Sequence, residues 1–99
     1  MKTTFIVKAF EEELGTEYFL VKVPKGTDES EVYKNFAMAA KYATVNCSDE
    51  PSEYDEHFED MVECREDCNG TDTFNYYLEE YCGYKVSETK GNWDFQYEW

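Results

Sequence analysis

The single histidine, His57, stands among the carboxylic acids Glu56, Glu59 and Asp60. A histidine beside a carboxylate can act as a general acid or base near neutral pH. On a helical wheel, however, His57 falls at the edge of the apolar face, whereas the acids fall on the opposite face. The chain also lacks the glycine-rich and nucleophile motifs of nucleotide-binding proteins and hydrolases. We therefore interpret His57 as a residue at the boundary of the core, predict no catalytic residue, and expect no enzyme.

The cysteines Cys47, Cys64, Cys68 and Cys82 are the other candidates for chemistry. Cys64 and Cys68 could offer two thiolates to zinc from one helix, with Cys47 and Cys82 completing a set of four ligands. Their spacing matches no known zinc motif. A disulfide framework is typical of secreted chains, and residues 1–10 do not have the pattern of a signal peptide. We therefore predict four free, mostly buried thiols, no metal site and no cofactor.

The acidic residues are strongly clustered. The formal net charge is −14, and residues 49–67 carry −9 of it, because ten Asp and Glu stand there against Arg65 alone. On a helix, like charges four residues apart oppose folding by about 0.2–0.5 kcal/mol per pair. A feature that works against the stability of its own segment indicates retention for another purpose, such as binding.

A helical wheel divides this segment into an apolar face, which contains Phe58, Met61 and Val62, and a face of carboxylates. One interpretation of the carboxylate face is a plain solvated surface. The other is a surface that binds a partner, and it is the one we favour. The predicted partner-binding residues are Glu53, Asp55, Glu56, Glu59, Asp60, Glu63, Glu66 and Asp67.

Local signals predict two strands and a helix before the acidic segment. Residues 3–10 and 17–23 are rich in β-branched and aromatic side chains, and Gly15 lies between them, which is typical of a hairpin. Asp28 and Glu31 form a capping box, so we predict the first helix at about residues 28–43.

The second half should hold two further helices and a second hairpin. We predict a helix from Pro51 to near Cys68, where Asn69 and Gly70 would stop it, and a third, shorter helix that is capped by Thr71 or Asp72 and closed by Gly83. The last two strands, residues 84–89 and 93–99, are joined by the turn Lys90-Gly91-Asn92. The final strand places Trp93, Phe95, Tyr97 and Trp99 on one face, as core or, alternatively, as an interface.

The element order predicts a single α+β domain over residues 1–99, in the sequence ββ-ααα-ββ. We expect the two hairpins to form one four-stranded antiparallel sheet packed against the three helices.

Charge also limits the partners. Nine Lys and Arg against 23 Asp and Glu exclude direct nucleic-acid binding, which needs a basic surface, and an anionic membrane surface. No apolar run approaches the roughly 18–20 residues of a membrane span. We therefore expect a cytoplasmic protein of the host cell that binds another protein.

The linear charge density of the acidic segment indicates what kind of protein it would bind. Ten carboxylates over residues 49–67 correspond to about one charge per 3 Å of helix axis, because a helix rises about 1.5 Å per residue. One strand of B-DNA carries one charge per about 3.4 Å. A groove built for a phosphate backbone would accept such a surface.

In size, charge, aromatic content and clustering of acids, the chain resembles the small acidic proteins of phages and other mobile elements that mimic nucleic acid, anti-CRISPR proteins among them. The resemblance implies an inhibitor that occupies the nucleic-acid groove of a basic protein, such as a CRISPR effector or another defence nuclease. The alternative is a small cytosolic adaptor or assembly subunit whose acidic helix is merely solvated. The sequence leaves the oligomeric state open.

Overall fold

Three α-helices cover one face of a four-stranded sheet in the computed structural model, which describes residues 2–11, 15–90 and 94–99. This architecture confirms an α+β fold. The elements in chain order are β1 (Thr4–Glu11), β2 (Gly15–Lys22), α1 (Glu29–Tyr42), a 3-10 turn (Pro51–Glu53), α2 (Phe58–Asp67), α3 (Gly70–Tyr81), β3 (Lys85–Thr89) and β4 (Tyr97–Glu98).

The first hairpin is confirmed. β1 and β2 pair antiparallel along their whole length, from Thr4 opposite Lys22 to Glu11 opposite Gly15. Gly15 has a φ of +80°, a conformation that side chains disfavour. Along β1, alternate side chains point towards the helices and are buried, and Phe5 and Val7 are among them.

The expected second hairpin is wrong. The strand order is β3-β2-β1-β4, so β3 and β4 lie at opposite edges of the sheet. β3 pairs antiparallel with β2, whereas β4 pairs parallel with β1, with Val7 opposite Tyr97. The sheet is therefore mixed and not fully antiparallel. The apolar alternation indicates a strand but carries no information about its partner. The turn residues Gly91 and Asn92, and Trp93 after them, lie outside the described residues.

Gln96 holds the last strand against β1 through two hydrogen bonds to one residue. Its backbone N–H donates to the Ile6 carbonyl at 2.9 Å, and its side-chain Oε1 accepts from the Ile6 N–H at 2.7 Å. Beyond β4, the Trp99 N–H donates to the Lys8 carbonyl at 3.0 Å. These contacts extend the attachment of a strand that is only two residues long.

The aromatic residues near the C-terminus do not share one face. Tyr97 packs 5.3 Å from the Phe36 ring on the helix side of the sheet. Trp99 stacks on Phe74 at 4.9 Å. Phe95 is 41% exposed and lies 5.0 Å from the Lys8 ammonium, which is on the opposite side of the sheet from Val7. The predicted face is wrong for Phe95 because β4 begins only at Tyr97, so strand alternation does not extend back to it.

α1 follows its sequence signals. The Asp28 side chain accepts a hydrogen bond from the Ser30 N–H at 2.9 Å, which satisfies one of the free donors at the helix start. Val32, Phe36 and Tyr42 are buried against the sheet and the other helices. This helix is confirmed to within one residue at each end.

The predicted second helix is shorter than expected. Only a single 3-10 turn forms after Pro51, and Tyr54 is extended, with φ −119° and ψ −174°. The Asp55 carboxylate accepts a hydrogen bond from the His57 N–H at 3.0 Å, a local contact that competes with helical bonding. α2 therefore begins at Phe58.

α3 begins earlier than its sequence signals indicate. The predicted end of the second helix near Cys68 is confirmed, because α2 ends at Asp67. Asn69, predicted as part of that stop, is also the N-cap of α3: its side chain accepts a hydrogen bond from the Asp72 N–H at 2.7 Å. The cap is therefore Asn69 and not Thr71 or Asp72, and the helix starts at Gly70. In the described part of the chain, no helix has the length and apolar character needed to cross a membrane.

Candidate protein-binding surface

The exposed side of α2 is a continuous surface of carboxylates. We call it the α2 acidic face, and it consists of Glu59, Asp60, Glu63, Glu66 and Asp67, all exposed. At 100° per residue these five side chains span an arc of about 120°. Met61, on the other side of the helix, is fully buried. The wheel drawn from the sequence is therefore confirmed within α2.

The cation in this segment does not neutralise that face. Arg65 is half-buried, and its Nε and Nη1 donate to the backbone carbonyls of Ala43 and Cys68 at 2.9 and 2.8 Å. Within the described ranges, ion pairs join Lys8 to Glu98 and His57 to Glu56, and neither involves the α2 acidic face. The negative potential of this face is therefore directed into solvent.

The three predicted residues that precede α2 have different environments. Glu53 and Glu56 are exposed. Asp55 is half-buried, and its carboxylate accepts hydrogen bonds from the hydroxyls of Tyr77, at 2.6 Å, and Tyr42. The wheel placed Asp55 on the exposed arc, which is wrong because the chain is not helical at this point. Asp55 faces inwards, so its carboxylate is not part of the outer acidic surface.

Tyrosine hydroxyls hold further carboxylates of the acidic segment. Asp60 accepts from Tyr76, at 3.1 Å, and from Tyr81, and Asp49 accepts from Tyr54 at 2.8 Å. The bonds to Asp55 and Asp60 fasten the acidic segment to α1 and α3, whereas the bond between Tyr54 and Asp49 lies within the segment. Sequence reasoning missed them, although the coincidence of nine tyrosines with many acids was a signal.

The same bonds shift the pKa values of both partners. Burial by itself would raise the pKa of Asp55, but the hydrogen bonds from Tyr42, Tyr77 and the His57 N–H outweigh it and lower the pKa. Burial, and then the hydrogen bond to Asp49, raise the pKa of Tyr54 to about 12. The pKa values of Tyr42, Tyr77 and Tyr81 are also raised, first by burial and then by their carboxylate partners. Near neutral pH these phenols therefore remain donors and the Asp55 carboxylate remains an acceptor.

His57 lies where the sequence interpretation placed it, at the edge of the core. Its half-buried ring stacks on Tyr81 at 3.6 Å with an interplanar angle of 14°. Its Nε2 is 3.7 Å from a carboxylate oxygen of Glu56, which is exposed. The imidazole thus joins the N-terminal end of α2 to α3 by aromatic packing.

All four cysteines are free thiols. Cys47 is exposed, and Cys64, Cys68 and Cys82 are half-buried, so the expectation of mostly buried thiols is wrong. In the described ranges, no group of three or more His, Cys, Asp or Glu side chains is placed so that it could hold a metal ion.

In comparisons with protein-family models, with curated proteins and with solved structures, this chain has no significant match.

Proposed function

We propose that the protein is an inhibitor encoded by a phage or another mobile element, and that it binds the nucleic-acid groove of a basic protein through the α2 acidic face. A CRISPR effector or another defence nuclease is the expected class of target. A CRISPR effector of the Cas9 type holds the guide–target duplex in a positively charged channel and recognises it through its geometry and backbone.

The observation that carries the proposal is the α2 acidic face, whose exposed carboxylates have no ion-pair partner in the described part of the chain. An interfacial charge that is not neutralised within its own protein can steer and orient a partner of opposite charge. Arg65, the cation within the acidic segment, instead donates to backbone carbonyls.

The spacing of the charges supports a nucleic-acid mimic. The five carboxylates occupy residues 59–67, which correspond to about 12 Å of helix axis. Their average separation along the axis, about 3 Å, is close to the phosphate spacing of one B-DNA strand, about 3.4 Å. Because Tyr76 and Tyr81 hold Asp60, part of this array is oriented before any partner binds.

The test compares two triple charge reversals with the same net charge. The first replaces Glu59, Glu63 and Glu66, which are exposed residues of α2, by Lys. It spares Asp60 because of its hydrogen bonds to tyrosines. The control replaces the exposed acids Glu29, Glu79 and Glu88, on α1, α3 and β3, by Lys.

Binding and inhibition are measured with purified guide-loaded nucleases and restriction endonucleases over a range of salt concentrations. We expect wild type and control to bind and inhibit at least one nuclease, to weaken as salt rises, and to be displaced by nucleic acid. The α2 reversal should abolish binding. Binding that ignores salt, or an α2 reversal that binds as well as the control, would contradict mimicry and favour an adaptor with a solvated helix.

A further inference from the structure

A polar cleft lies between α1 and the C-terminal end of α3, beside the α2 acidic face. Its volume is about 260 Å³. Clefts for whole small-molecule ligands usually have about 300–1,000 Å³, so this one matches a single side chain better. The residues that line it include Glu31, Asn35, Tyr77, Tyr81, Cys82 and Tyr84.

Three of the lining residues are tyrosines. The hydroxyls of Tyr77 and Tyr81 donate to Asp55 and Asp60, which are outside the cleft lining, so these hydroxyls are not free to donate to a ligand in the cleft. An aromatic ring can also contact a cation through its face. The cleft therefore suits a cation better than an anion.

The charges around the cleft have the sign that a cation requires. Glu31, an exposed acid in the first turn of α1, is among the lining residues, and these include no lysine or arginine. Burial, and then the negative charges of Asp55 and Glu31, raise the pKa of the Cys82 thiol to about 12. The thiol is therefore neutral near pH 7, and Glu31 supplies the charge among the lining residues.

The polar end of the cleft is held by a hydrogen bond between α1 and the segment before β3. Asn35 Nδ2 donates to the Tyr84 hydroxyl at 2.9 Å. Tyr84 is only 5% exposed, so its position is fixed by packing. The cleft is thus formed by residues that already have partners, and it requires little rearrangement to admit a side chain.

We propose that this cleft binds one lysine or arginine side chain of the basic partner, with the cationic group at the Glu31 carboxylate and the alkyl stem against the tyrosine rings. The source of that side chain rests on the function proposed above. Tyr81 connects the two surfaces, because it lines the cleft and also donates to Asp60 on the α2 acidic face.

The test uses small probes and no macromolecular partner. Amide NMR spectra of the whole chain are recorded during titration with N-acetyl-lysine methylamide, N-acetyl-arginine methylamide and the uncharged analogue N-acetyl-norleucine methylamide. The first variant is Glu31→Gln. The matched control is Glu29→Gln, which removes the same charge from the same helix turn but is not among the lining residues.

We expect the two cationic probes to shift the amide signals of Asn35, Cys82 and Gly83 to saturation, and norleucine to leave them unchanged. Glu31→Gln should weaken this binding about fivefold, a typical upper effect for one exposed charge, and Glu29→Gln should not. Equal shifts with norleucine, or equal affinities in the two variants, would overturn the proposal. If cations bind the cleft but no nuclease is bound, the proposed function is wrong and the proposed cation site is kept. If a nuclease is bound but cations do not bind the cleft, the proposed function is kept and the proposed cation site is wrong.

Discussion

The Tyr77 hydroxyl donates a 2.6 Å hydrogen bond to the Asp55 carboxylate, and this contact ties the middle of α3 to the turn that precedes α2. Tyr42 of α1 donates to the same carboxylate. Asp55 therefore holds its neighbours in place from a half-buried position, whereas the carboxylates of the α2 acidic face are exposed. Some carboxylates of the acidic segment thus stabilise the fold, and others make up its exposed acidic surface.

Replacing Asp55 by Asn should lower the free energy of unfolding by about 1–3 kcal/mol, because an amide has one acceptor oxygen and leaves a buried phenol without a partner. The measurement is urea unfolding followed by tryptophan fluorescence at pH 7. Glu56→Gln, an exposed change next to it, is the control and should have little effect. Equal stability of the two variants would contradict a structural role for Asp55.

The contribution of Asp55 also depends on pH. Its pKa is lower in the folded protein than in the unfolded chain, where it is about 3.9. Its stabilising effect is therefore complete above pH of about 4 and is lost as the pH falls through the folded value. The difference in stability between wild type and Asp55→Asn should narrow over the same range.

Alkaline pH should unfold the protein through its tyrosines. The folded state raises the pKa of Tyr54 to about 12 and also raises those of Tyr42, Tyr77 and Tyr81. The stability that these protons provide is complete below the unfolded pKa of about 10 and is lost as the pH rises above it. We expect phenolate absorbance to appear later in folded protein than in urea-denatured protein. Coincident titration curves for folded and denatured protein would show that the fold does not raise the pKa values of these phenols.

Alanine substitution of two aromatic residues near the C-terminus should lower the stability of the protein by different amounts. Tyr97 packs against Phe36, so Tyr97→Ala should cost about 3 kcal/mol, at the lower end for a buried ring because Tyr97 is only half-buried. Phe95→Ala removes an exposed ring and its contact with the Lys8 ammonium, which is worth about 0.5–1 kcal/mol. Thermal unfolding of both variants measures the difference. Equal losses would mean that Phe95 is as well packed as Tyr97.

The four thiols should react at different rates. Cys47 is exposed and should react with DTNB in the folded protein at once. Cys82 and Cys64 should react slowly, because burial is the largest cause raising the pKa of each, to about 12 for Cys82. Cys47→Ser should remove the fast phase, and denaturation should expose all remaining thiols. One common rate would contradict these environments.

Where the sequence sufficed, the signals were local. α1 could be predicted because its cap, Asp28, and its apolar spacing lie within the helix and next to it. The break before α2 could not, because the carboxylate that forms it also depends on Tyr42 and Tyr77, which stand 13 and 22 residues away. Residue types on α2 identified the acidic face and placed Arg65 away from it, but they did not identify the two backbone carbonyls to which Arg65 donates.

The pairing of β4 shows most clearly what could not be predicted from the sequence. An apolar alternation fixes which side chains share a face of a strand, and every neighbouring strand satisfies it equally. β4 pairs with β1, where Val7 lies opposite Tyr97, and not with the strand closest in sequence. That choice depends on the whole arrangement of helices and sheet.

The Ile6–Gln96 contact joins residues 90 apart in the chain, so β1 receives its second neighbour only when translation has passed residue 96. On the ribosome, β1 can form its hairpin with β2 early, while its other edge keeps free backbone donors and acceptors. Unpaired edges of this kind favour pairing with other nascent chains. Pairs so distant in sequence also slow folding. Rapid synthesis of many copies would therefore place aggregation in competition with the closing of this sheet.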